Sequence, residues 1–213
     1  MCIKIDERGA FDLRGLLAVD GIIYRYMLKL YDLIVLNILF VVSSLPLITI
    51  GASITALYDV TLNMQNGHTR QVYSAYLDSF QKNIKQATQV WLGFLLLIAT
   101  AVILISVGQG NVWLSLVLLG FITITMMALI YIFALISKFQ HNTSSMIKNG
   151  VLLAIEHTAY SIIMLSIAGV LVIGVPLYIH WAGVLSMLLT FSLTAYIQSY
   201  FLNKLFLEVL NRN

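Results

Sequence analysis

Three long stretches of the chain carry no Asp, Glu, Lys or Arg: residues 33–58, 86–137 and 157–203. A helix needs about 20 residues to cross a hydrocarbon core of roughly 30 Å. The second and third stretches are therefore each long enough for two crossings. Each also holds a turn signal near its middle, Gly108-Gln109-Gly110-Asn111 in one and Pro176 to Gly183, with His180-Trp181, in the other. Two helical hairpins are predicted, with helices over 86–107 and 112–137 and over 158–179 and 183–203.

The first stretch makes either one comfortable helix or, with upstream residues recruited, a tight hairpin bent at Ser44-Leu45-Pro46. Pro46 disfavours helix at Leu45, and Gly51 permits a tight restart. The basic residues decide between the two. Lys4, Arg8, Arg14, Arg25 and Lys29 precede the stretch, Arg70, Lys82, Lys85, Lys138 and Lys148 fall between the stretches, and Lys204 and Arg212 close the chain. One crossing would divide these between the two sides, whereas two crossings put all 12 on one side, as the positive-inside bias favours. The expected fold class is all-α: a polytopic membrane bundle of about six transmembrane helices in three hairpins, with both termini cytoplasmic. Its first hairpin covers helices at 22–44 and 51–65. The second of these is only roughly 22 Å long, so it is tilted, sheltered by neighbours or re-entrant.

Amphipathic helices on the inner leaflet are predicted before the other two hairpins. Val72, Tyr76, Phe80, Ile84 and Trp91 recur at helical spacing, as do Met146, Ile147, Gly150, Val151 and Ala154. Ser79-Phe80-Gln81-Lys82-Asn83 also matches Ser145-Met146-Ile147-Lys148-Asn149, and the same shift carries Gly108 onto Gly174. A parallel repeat of interfacial helix plus hairpin would explain the match, and so would chance similarity of two amphipathic helices. The organisation is one membrane domain: a tail over 1–20, a hairpin over 22–65, a helix plus hairpin over 70–137, another over 144–203, and a tail over 204–213.

Composition agrees, with 60% hydrophobic and 10% charged residues among 213 and a mean hydropathy of +0.93. Soluble domains carry about 25% charged residues. Trp113 and Trp181 fall beside the outer turns, where indole prefers the headgroup level. The single cysteine, Cys2, leaves no role for disulfides, and Met1 to Asp20 lack the apolar run of a signal peptide. The bilayer is the expected partner, and no nucleic acid is expected.

Candidate chemistry is sparse. The chain has no phosphate loop, dinucleotide fingerprint, H-E-x-x-H or cysteine pair, so no catalytic residue, cofactor or metal is assigned. Glu156-His157 reads as a polar collar at a helix entrance, and His68, His141 and His180 read as loop residues. Asp32 lies at membrane depth with Lys29 on the same face, either as an interfacial ion pair or as a coupling site. Asp59 reads as an interfacial carboxylate. The polar and small residues Asn37, Ser43, Ser44, Thr49, Gly51, Ser53 and Thr55, around Pro46 and up to Tyr58, suit either tight packing of a short buried helix or a solute cavity at a broken helix.

This segment closely resembles the signature of the YesL family of bacterial membrane proteins. The residues are Asp32-Leu33-Ile34-Val35-Leu36-Asn37, then Ser44-Leu45-Pro46-Leu47-Ile48-Thr49-Ile50-Gly51-Ala52-Ser53, with Thr55-Ala56-Leu57-Tyr58. The similarity continues at Ser79-Phe80, Asn83-x-Lys85-Gln86-Ala87-Thr88, Lys138-Phe139, Lys148-Asn149 and His157. The resemblance implies a small multi-helix protein of Gram-positive bacteria, of a family without assigned function and often encoded near carbohydrate uptake systems. It implies a role beside a sugar transporter or sensor and names no active residue. Asp59 stands where many members carry an aromatic. The expected function is an accessory membrane component that makes lateral contacts, with a small transporter or channel for a neutral solute as the alternative and an intramembrane enzyme last.

Overall fold

The computed structural model describes residues 22–67, 71–108, 111–139, 142–178 and 183–212, and every regular element among them is helical. Helix α1 (Ile22–Ser44) ends at the expected bend. Pro46 is extended (φ −73°, ψ 115°), and a 3₁₀ turn over Leu47–Thr49 reverses the chain. The Thr49 hydroxyl pins that reversal by donating to the carbonyls of Ser43 (2.7 Å) and Pro46 (2.8 Å). Helix α2 (Ile50–Gln65) then runs back along α1.

Helix α3 spans Val72–Val107, 36 residues and about 54 Å without a break. This corrects the expectation of a separate interfacial helix before residue 86. Val72 to Trp91 contains no glycine or proline, so the charged and apolar parts share one backbone helix. Gly108 caps α3, and Asn111 starts α4 (Val112–Lys138) by accepting the amides of Trp113 (3.1 Å) and Leu114 (3.3 Å). Trp113 is exposed beside that turn.

The third hairpin is built differently. Helix α5 (Thr143–Glu156) is a separate element, parted from α6 (Thr158–Ala168) at His157, whose backbone leaves the helical region (φ −111°, ψ 45°). Helix α6 continues through a π-helical turn (Gly169–Gly174) into α7 (Val175–Tyr178), and α8 (Gly183–Arg212) follows. Pro176 therefore lies inside the helix and does not end it. It has no N–H to donate backward and crowds the carbonyl four residues upstream, and the widened turn before it takes up that mismatch. The repeat does not persist at these positions. Ser79 and Asn83 are buried and bonded to each other (3.2 Å), while Ser145 and Asn149 are exposed, and Gly174 sits within a continuing helix. The residues 1–21, His68, His141, His180 and Trp181 lie outside the described residues.

Helix α2 is the centre of the bundle. Ten of its 16 residues are buried, against α1, α3, α4 and α8, so sheltering by neighbours is what allows so short a helix. At Gly51 its backbone meets α3 closely: a Cβ there would lie 2.6 Å from the Ala87 carbonyl oxygen and 2.7 Å from Trp91 Cβ. The Trp91 indole N–H also donates to the Leu47 carbonyl (2.8 Å). The apex of the first hairpin thus sits beside Trp91, and α3 continues about 24 Å further through Leu92–Val107.

Beyond that apex the second and third hairpins form two arms. They are tied near their charged ends, where Phe139 and Phe206 meet edge to face (6.0 Å) with Lys138 Nζ 5.4 Å from the Phe206 ring centre, and where Tyr131 bonds Ser161 (3.0 Å). Farther out, Leu96, Val102, Val117 and Phe121 on one arm and Val170, Ile173 and Leu177 on the other are exposed. Among the described residues, five helical stretches are long and apolar enough to cross a membrane: Tyr26–Ser44, Leu47–Gln65, Val72–Val107, Val112–Lys138 and Thr158–Leu177.

Helix α5 is clamped to α4 at Gly150, where a Cβ would lie 2.3 Å from Ile132 Cγ1 and 3.1 Å from the Ile132 backbone nitrogen. Gly150→Ala is expected to cost at least about 1 kcal/mol, because Ile132 is buried and β-branched and its backbone stands close behind the side chain. Thermal melting of the detergent-solubilised protein measures it.

Candidate functional site

Two hydrogen-bonded clusters and two concavities collect the polar residues of the bundle. The first cluster joins α1, α2 and α3. Ser43 Oγ lies 2.9 Å from Ser53 Oγ and 2.6 Å from the Tyr76 hydroxyl, and it also reaches the Phe40 carbonyl (3.2 Å). Ser53 Oγ in turn donates to the Thr49 carbonyl (3.0 Å), and Thr55 donates to the Gly51 carbonyl (2.9 Å). Serine and threonine in apolar helices satisfy their hydroxyls this way, on the carbonyl one turn back.

The second cluster joins α2 to α8 and α6. The Tyr58 hydroxyl donates to Gln198 Oε1 by a short bond, and Gln198 Nε2 donates to the Met164 carbonyl (3.0 Å). Thr61 and Ser199 share a hydrogen bond (2.7 Å), Gln65 Nε2 donates to the Tyr196 carbonyl (3.2 Å), and Asn203 Nδ2 donates to the Leu62 carbonyl (3.4 Å).

Of the residues the sequence singled out, the structure brings Thr49, Gly51, Ser53 and Thr55 together at the start of α2, with Tyr58 two turns on. Asn37 is fully buried on α1. Asp32 and Pro46 stand apart, Asp32 half-buried on α1 and Pro46 exposed at the apex. Glu156 is exposed while His157 is half-buried against the Tyr160 ring (6.3 Å), so this pair does not converge on a common ligand. Sequence reasoning missed Tyr76, Gln198, Ser199 and the Tyr131–Ser161 pair. The available signal for Gln198 was an amide deep within a charge-free run.

A cavity of about 500 Å³ lies where α2 faces the two arms. Its walls are Phe40, Leu57, Trp91, Leu129, Phe133, Val172 and Phe191 among other apolar residues, with Tyr58, Thr194 and Gln198 as polar members. A second, polar concavity of about 300 Å³ lies between α2 and α3 toward the charged end, bounded by Asp59, Asn63, Asp78, Ser79 and Lys82. Asn63 Nδ2 donates to Asp59 Oδ1 there (3.1 Å). Among the described residues no three His, Cys, Asp or Glu side chains gather as metal ligands would.

Repeated apolar helices around a buried, hydrogen-bonded central helix define the class: a multi-pass helical membrane protein. Residues 33–106, from the middle of α1 to the end of α3, match the family described as a protein of unknown function, DUF624, the YesL-like family of membrane proteins. The later resemblances at Lys138-Phe139, Lys148-Asn149 and His157 lie beyond that match. No curated protein and no solved structure matches the chain.

Proposed function

We propose that the protein is an accessory component of a membrane assembly, beside carbohydrate uptake or sensing, with its charged end toward the cytoplasm and its contacts made by docking. One observation carries this reading: the hydroxyls around the helix break are committed to carbonyls and to one another, while an open polar concavity with both signs of charge lies at the surface between α2 and α3. A solute path needs polar groups that exchange partners, and Ser43, Thr49, Ser53 and Thr55 are held by short local bonds. The larger cavity is walled by apolar side chains, which suits neither a sugar nor an ion. The alternative of a neutral-solute transporter at Pro46 is correspondingly less supported, and the role is one of binding rather than catalysis. The carbohydrate setting rests on the family resemblance.

Mild extraction of the tagged protein is expected to bring down a sugar transporter or a sensor membrane protein. Lys82→Glu, which reverses one charge at the polar concavity, is expected to weaken that recovery at least severalfold while leaving the melting temperature unchanged. A protein recovered alone in both forms would remove the docking reading, as would sugar uptake lost on Ser53→Ala with partner recovery intact.

A further inference from the structure

We propose that the apolar cavity holds one acyl chain of a membrane phospholipid, inserted sideways from the bilayer with its headgroup left outside. This inference does not depend on the docking reading. The cavity exists because the first hairpin turns back at Trp91 while the two arms continue outward, leaving the space between them unfilled by protein. Met126 on α4 and Ile173 on the π-helical turn both line it and are both exposed, so it opens between those elements on a surface of apolar side chains. The two stretches that flank the opening, Val112–Lys138 and Thr158–Leu177, are among those long and apolar enough to span a membrane, so the opening meets lipid.

The wall chemistry selects the guest. Tyr58 donates to Gln198, Gln198 donates to the Met164 carbonyl, and Thr194 donates to the Thr190 carbonyl (2.6 Å). Each of the three polar side chains lining the cavity is thus paired within the protein. A hydroxylated guest would lose its hydration and gain few new hydrogen bonds, which is costly in an apolar site. A hydrocarbon chain loses nothing comparable.

Size discriminates further. One turn of an α-helix, about 11 Å across and 5.4 Å tall, already fills roughly 500 Å³. The cavity therefore has no room for the several turns of a partner's transmembrane helix, and it matches the volume range of small-ligand sites.

Gly169 provides the test. It lies on the cavity wall in the π-helical turn, and a Cβ built there meets nothing within 4 Å, so a side chain added at this wall starts in open space. Gly93 on α3 is equally unobstructed but outside the cavity, and serves as the matched control. Native mass spectrometry of protein extracted from membranes is expected to show one phospholipid retained by the wild type and by Gly93→Phe, and lost from Gly169→Phe. Equal retention in Gly169→Phe and Gly93→Phe would overturn the proposal, and so would a wild type carrying only detergent or free fatty acid.

A second measurement needs no change at the π-helical turn. In a Trp113→Phe/Trp181→Phe protein the remaining Trp91 faces the cavity, and phospholipid brominated on its acyl chains is expected to quench it with saturation at one lipid per protein. Quenching that rises without saturation, or none, would overturn the assignment.

Discussion

Gly51→Ala is expected to melt well below the wild-type protein and to be recovered poorly from membranes. The new Cβ would stand 2.6 Å from the Ala87 carbonyl oxygen and 2.7 Å from Trp91 Cβ, a backbone atom and the root of a side chain, neither of which can swing aside. Helices α2 and α3 must separate, which lengthens the Trp91 to Leu47 hydrogen bond and loosens the packing around Ala52, Ala56 and Ala87. Overpacking of this kind costs about 1–3 kcal/mol, and each kcal/mol is roughly 2–4 °C of melting temperature for a chain of this size. Gly93→Ala calibrates the measurement. That position is open, so replacing glycine within a helix should leave stability unchanged or raise it by up to about 1 kcal/mol. A Gly51→Ala protein that melts with the wild type would show that the two helices do not meet there.

Gln198→Leu should produce the next largest loss. The amide accepts from Tyr58 and donates to the Met164 carbonyl, so its removal takes away one of the bonds between α2 and α8 and a bond between α8 and α6, and leaves the Tyr58 hydroxyl buried without its acceptor. A buried polar group left unpaired costs about 1–3 kcal/mol. Tyr58→Phe removes only the hydroxyl and should cost less, near the average of about 0.6 kcal/mol for interhelical hydrogen bonds in membranes. The double substitution should be no worse than Gln198→Leu alone, because the stranded hydroxyl is then gone. Strict additivity in this cycle, read from the melting curves of the four proteins, would mean that the two side chains do not share a bond.

The elements whose ends are written as local chemistry could be read from the sequence. The bend at Pro46 is one, the turn that ends at Asn111 another, and the return of α2 follows from the placement of the basic residues. The start of α3 could not be read, because Asp78, Lys82 and Lys85 mark where a helix meets water and not where it stops. The helix over 158–179 could be read with Pro176 inside it, but the widened turn that accommodates the proline could not, because it has no signature of its own beyond Gly169 and Gly174. In the candidate site, Ser43, Thr49, Ser53 and Thr55 stood out as polar residues among apolar ones, and several of their bonds are local. Their distant partners stayed hidden. Tyr76 lies 33 residues from Ser43, and Gln198 lies 140 from Tyr58, and helical periodicity carries no information on which faces meet across such separations.

The position of the first hairpin's apex has a further bearing on how the polypeptide is threaded. From Lys85 to Trp91 the helix rises about 9 Å, and Lys82 and Lys85 are exposed side chains whose ammonium groups belong at headgroup level. The tip of the first hairpin lies beside Trp91, and its two limbs, Tyr26–Ser44 and Leu47–Gln65, are each long and apolar enough to cross a membrane. Such a pair of antiparallel limbs returns the chain to the side from which it set out, so it contributes no net passage. The beginnings of α1 and α3 then share a compartment whichever way the insertion machinery orients the chain, and the parity of the whole is set by the two longer arms alone.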